Sequence, residues 1–133
     1  MERPEHFRGD FVLPSDALYD QVRLGWNHDF ADRLPSVVLR PKGPSDVQVA
    51  LRWVVQNNYP FTVMGGGHSF SGKSLKHGAV LIRLSHLDQV HVDASARTAW
   101  VGMGATVKDF DMETNAYNLC GVGGHVSDTG TDL

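Results

Sequence analysis

The sequence predicts a mixed α/β (α+β) unit, and three observations lead there. Short apolar runs bounded by proline or glycine recur at 35–41, 61–64 and 79–84. A strongly periodic helical stretch stands between the first two of them, and an alternating pair of runs, 90–92 and 98–103, surrounds a polar turn. At 133 residues the chain is one domain's worth of polypeptide, long enough to bury a core.

Taken in order, Ser15 is placed to cap a first helix from about Asp16 into the twenties, with Leu18 and Val22 on one face. PSVVLRP, 35–41, reads as a strand because β-branched residues are closed by proline at each end. Next, Ser45 and Gln48 have the spacing of a capping box, and Val47, Ala50, Leu51, Val54 and Val55 recur at helical intervals until Asn57, Asn58 and Pro60. FTVM, 61–64, and AVLIRL, 79–84, are further strands, and VHV with TAWVGM makes a hairpin about DASAR. Thr106 caps a last helix from Val107 to about Asn118, with Val107, Phe110, Thr114 and Tyr117 as its stripe. A helical lead-in of 1–34 thus precedes a unit of 35–133.

Composition excludes more than it identifies. A formal net charge of −3, without a basic stripe, argues against nucleic acid as partner. One cysteine, Cys120, rules out an intrachain disulfide framework; it is expected to be a small buried residue at a helix end. MERPEHFRGD has no apolar signal core, and nowhere do about 18 apolar residues run together, so a cytoplasmic protein with no membrane partner is expected. Trp26, Trp53 and Trp100 are assigned to the core or to a lobe interface. His86 and His91 flank a turn without a third ligand at metal spacing, and Asp109, Asp111 and Glu113 read as a solvated acidic face.

The stretch GGGHSFSGKS, 65–74, carries the chemistry, and it admits two readings. Gly67, Gly72, Lys73 and Ser74 match a P-loop, which would make the protein a nucleotide phosphohydrolase. Such a loop must open a helix, because the phosphates sit on free N–H groups at the helix start. Only Leu75, Lys76, His77 and Gly78 separate Ser74 from the next strand, less than the helix needs. In the second reading, Gly65, Gly66 and Gly67 let the backbone approach an anion and point N–H groups at a pyrophosphate without a helix. His68 follows at once, and an imidazole, mostly neutral at pH 7, is a usable nucleophile.

Four features in order carry a resemblance over about Pro35 to Gly130. They are the Pro41–Val47 helix entry, the Gly-Gly-His-Ser loop, the Val101–Ala105 Val-Gly-x-Gly-Ala turn and the late GGHVSDTG. Together they resemble the flavin domain of the vanillyl-alcohol oxidase and p-cresol methylhydroxylase superfamily, berberine-bridge-enzyme-like members above all. The resemblance implies FAD held between two lobes, with this chain supplying the first lobe and the start of the second. It implies pyrophosphate contacts from Gly65, Gly66, Gly67 and Ser69, and a covalent link from His68 to the methyl group on the flavin's benzenoid ring. Gly124, Val126, Ser127, Thr129 and Gly130 match the segment along the phosphate-ribityl side.

Some relatives carry a second link through a cysteine; alignment on Gly130 puts Val126 there, so one link is expected. Met64 stands where many relatives have arginine. The implied whole is an FAD-linked oxidase that moves hydride from an alcohol, amine or activated C–H substrate to flavin, with oxygen as acceptor and substrate bound by a domain outside this sequence. The alternative is a non-catalytic remnant, or a module completed by a second chain.

Overall fold

A computed structural model describes residues 1–131; Asp132 and Leu133, the end of the expected 35–133 unit, lie outside the described residues. The chain folds as a mixed α/β structure of two parts. A four-stranded sheet has the order β1 (Asp10–Val12), β2 (Val37–Arg40), β4 (Val80–Arg83), β3 (Phe61–Met64), and a separate hairpin pairs β5 (Val90–Asp93) with β6 (Thr98–Val101). Strands β2, β4 and β3 are parallel and β1 runs antiparallel to β2.

The two central strands are buried along almost their whole length, as continuous β-branched runs in a parallel sheet require. Their side chains divide by a period of two. Val37, Leu39, Val80 and Ile82 join Phe7 and helix α2 (Pro44–Gln56) through Ala50 and Val54. Val38 and Leu81 face the other way, onto Val12, Met64, Leu75 and helix α1 (Tyr19–Arg23) through Tyr19 and Val22. Each fully buried aliphatic side chain contributes about 1.5–3 kcal/mol.

The helices differ from expectation in instructive ways. Helix α2 starts at Pro44 behind Gly43, so Ser45 is inside the first turn and forms no capping box with Gln48. Proline suits the first helical position, where its missing N–H costs nothing. The carboxylate of Asp46, 1% exposed, accepts instead from the backbone N–H of Lys42 at 3.0 Å and of Arg8 at 3.3 Å. The buried face is accordingly Asp46, Ala50 and Val54, while Leu51 and Val55 of the expected stripe point outward.

Ser15 caps nothing: Asp16 closes a turn by accepting from Leu13 N–H at 2.8 Å, and α1 is five residues long. Strand β1, in the lead-in, was not foreseen; it sets Phe11 opposite Leu39.

In the hairpin, Val90 pairs with Val101 and Val92 with Ala99, as the alternation predicts. Helix α3 (Val107–Asn115) is capped by Thr106, which accepts from Asp109 N–H while the Asp109 carboxylate accepts from Thr106 N–H. Asp109 is therefore a capping residue rather than part of a solvated acidic face, and Tyr117 lies beyond the helix, exposed. Trp53 packs on the core beside Phe11 and Tyr59, whereas Trp26 and Trp100 are exposed.

Candidate functional site

Strand β3 delivers the glycines to the carboxyl end of the parallel strands, where open α/β sheets place their ligands. Residues 65–79 continue as turns and coil, and no helix follows Ser74 before β4. The P-loop pattern therefore lacks the helix start it depends on. Its second glycine has a packing reason instead. Gly72 has φ +58°, and a Cβ there would come within 2.2 Å of the Phe30 ring. Arg33, which lies over that ring, donates to the Gly72 carbonyl at 2.8 Å. Lys73 is exposed.

Gly67 is held tightly. Its φ of +78° lies in the left-handed region, and a Cβ on it would sit 3.2 Å from Gly25 Cα. Its carbonyl accepts from Trp26 N–H at 2.9 Å. Among the described residues, no protein acceptor takes the N–H groups of Gly65, Gly66, Gly67, His68 or Ser69. Ser69 Oγ lies 3.2 Å from Ser71 Oγ. The half-buried His68 ring lies beside the Trp26 indole, and its Nδ1 is buried without a hydrogen-bond partner among the described residues.

These features fit a dinucleotide cofactor. Backbone donors stand free for an anion, the loop comes close to its neighbours only because a Cβ is missing, and the His68 ring makes no hydrogen bond among the described residues.

The second expected segment is docked elsewhere, across the start of α3. The carbonyls of Thr129 and Ser127 accept from Val107 and Lys108 N–H, both at 2.9 Å, so two donors of the helix start are already taken. Thr106 and Gly130 form an isolated bridge. Thr129 Oγ1 donates to the Val126 carbonyl at 2.6 Å, and the Val126 side chain is exposed. Gly124 and Gly130 line an apolar cleft of about 180 Å³ with Val101, Val107, Phe110 and Val122. No hydrogen bond among the described residues joins Gly65–Ser69 to Gly124–Gly130; the structure sets them in separate parts of the fold.

The turn that leads from β6 into α3 explains its own glycines. A Cβ on Gly102 would lie 2.0 Å from the Leu87 carbonyl oxygen, and one on Gly104 would lie 2.2 Å from that of Leu84. Only glycine lets β6 return so close to the chain leaving β4.

Several residues near the loop escaped sequence reasoning. Gly25, Trp26 and Asn27 grip it, although nothing in their spacing announces this. Beside Met64, at its register position on β4, stands Arg83, whose Nη1 donates to Val22 O at 2.9 Å and to Leu24 O at 2.6 Å. A guanidinium thus does stand next to Met64, engaged by backbone carbonyls.

His86 is engaged rather than solvated: its Nε2 meets Asp10 at 2.8 Å, and Arg40 reaches the same oxygen at 3.0 Å. Burial pushes the Asp10 pKa up, but the His86 hydrogen bond and the Arg40 and Lys42 charges outweigh it and leave it lowered. The described residues contain no cluster of three potential metal ligands. Cys120 is exposed and free, because α3 ends five residues before it. No helix among the described residues is long and apolar enough to cross a membrane.

A family model described as an FAD binding domain matches residues 35–131. An FAD-linked oxidoreductase of Dictyostelium discoideum is 32% identical over 120 residues, covering 90% of this chain and 26% of that protein. (R)-6-hydroxynicotine oxidase of Paenarthrobacter nicotinovorans is 26% identical, covering 91% and 26% respectively. The crystal structure of 6-hydroxy-D-nicotine oxidase from Arthrobacter nicotinovorans superposes with a TM-score of 0.90 at 24% identity, covering 98% of this chain and 29% of that one. The chain spans about a quarter of the length of these relatives.

Proposed function

The chain belongs to the FAD binding domain family of FAD-linked oxidoreductases, and from that premise we propose how its own residues hold the cofactor. Gly65, Gly66 and Gly67 donate backbone N–H groups to the pyrophosphate, and Ser69 adds a hydroxyl. His68 holds the flavin covalently through its ring nitrogen. Gly124, Val126, Ser127, Thr129 and Gly130 line the phosphate-ribityl side. One observation carries this reading: the imidazole of His68 sits in a glycine loop at the carboxyl end of β3 with Nδ1 buried and unpartnered. An unpartnered buried nitrogen costs about 1–3 kcal/mol, which marks the ring as held for a use other than folding.

Bound flavin supplies the acceptor for a hydride from an alcohol, amine or activated C–H bond, with oxygen taking the electrons onward. The protein's part is to orient the cofactor, and the substrate is bound by a further domain or a second chain. A second reading, in which this chain is a partner-dependent binding module rather than a catalyst, is favoured by its exposed apolar surface. Trp100 is 82% and Val122 96% exposed, and edge strand β3 exposes Phe61 and Val63.

Flavin fluorescence tests the glycine loop. FAD added to the protein should be quenched on binding, and binding should weaken at least tenfold in Gly67→Ala. An equal response of wild type and variant would count against the glycine loop as the pyrophosphate site.

A further inference from the structure

We infer that Trp26 is a positioning residue for His68, the centre of a clamp, Gly25–Asn27, that keeps the imidazole oriented with Nδ1 turned inward. The inference deepens the reading of His68 as the flavin attachment residue and rests on it. Among the described residues no hydrogen bond reaches Nδ1, so no polar contact there at that nitrogen orients the ring. The orienting contact is the indole of Trp26, with centroids 6.5 Å apart and planes 25° from parallel, an offset stack.

The indole meets Phe70 edge-on at 5.5 Å, so it bridges the residues two apart on the loop. Its own backbone N–H binds the Gly67 carbonyl at 2.9 Å, and Asn27 Nδ2 donates to the Phe70 carbonyl at 3.4 Å. Gly25 lies against Gly67 backbone to backbone. Arg83 anchors the clamp from β4 through the carbonyls of Val22 and Leu24.

The arrangement has a chemical consequence. Attachment would form a bond from a ring nitrogen to the methyl carbon on the flavin's benzenoid ring, the methyl and the imidazole each losing one hydrogen and the flavin taking up two electrons that oxygen then removes. A hydrogen bond held by that nitrogen would stand in its way. A stacked indole orients the ring without engaging its nitrogens in a hydrogen bond among the described residues. It also gives a role to a tryptophan that is 59% exposed.

The test uses this chain expressed in a riboflavin auxotroph, so that it carries no flavin, as wild type, Trp26→Ala and Trp26→Phe. Diethyl pyrocarbonate modification is read histidine by histidine from peptide masses, and FAD is then added and the covalent adduct followed by intact mass. In Trp26→Ala the rate at His68 should rise several-fold while His77 and His91 keep theirs, and adduct formation should slow several-fold. Trp26→Phe should restore both. An unchanged rate at His68 overturns the clamp, as does a rise shared by all histidines, which would report unfolding. An unchanged adduct rate overturns the positioning role. If wild type forms no adduct, the attachment reading fails, and the modification rates alone then decide the clamp.

Discussion

Gly25 and Gly67, forty-two residues apart in sequence, meet so closely that a Cβ on Gly25 would lie 2.5 Å from the Gly67 carbonyl oxygen. The contact joins the end of α1 to the loop after β3, and the Trp26–Gly67 hydrogen bond closes it. Gly25→Ala must therefore push the loop away. A loss of about 1–3 kcal/mol in stability is expected, with weaker FAD binding, by thermal melting and flavin titration. A variant with wild-type melting and binding would show that the contact is dispensable.

Lys73 and Gly72 should behave oppositely, although a P-loop would need both. Lys73→Ala removes an exposed side chain and should leave stability and FAD binding within about 0.5 kcal/mol of wild type. Gly72→Ala forces a methyl into the Phe30 ring at a positive φ and should cost at least about 1–2 kcal/mol. Magnesium-dependent nucleotide binding lost in Lys73→Ala would revive the P-loop.

Asp46 links folding to pH. Burial alone would raise its pKa, but the Lys42 and Arg8 N–H groups, with the Arg8 guanidinium, outweigh burial and lower it. A carboxyl lowered on folding contributes stability that is full above the ordinary carboxylate pKa and is lost as pH falls through the lowered folded value. Asp46→Ala should cost about 1–3 kcal/mol near neutral pH, and the gap from wild type should shrink in acid. Denaturant melts across that range check both points; a gap independent of pH would contradict the linkage.

Thr106 caps α3 beside the segment that carries Gly124 to Gly130. Thr106→Ala should cost about 1 kcal/mol, and hydrogen exchange should quicken at Val107 and Lys108, whose N–H groups bind that segment. Protection unchanged at both amides would separate the cap from the docking of 124–130.

The elements visible in the sequence are those whose signal is local. β2, β3 and β4 are apolar runs with turn residues at their ends, and Thr106 stands three before Asp109. The glycine loop was visible because three glycines and a histidine after a strand have few other uses.

What stayed hidden depends on distant partners. β1 is three residues long and exists because Phe11 pairs with Leu39. Helix α2 turns Asp46 inward because Arg8 and Lys42 wait there, which no periodicity of α2 can show. Trp26 reads as a core residue by type, yet its place is set by a loop forty residues later.

The most direct measurement is the intact mass of the denatured protein from its natural source, as wild type and as His68→Ala. The account predicts a wild-type mass raised by one FAD and a variant without that increment. A wild type without the added FAD, or a His68→Ala variant that keeps it, would contradict attachment through His68.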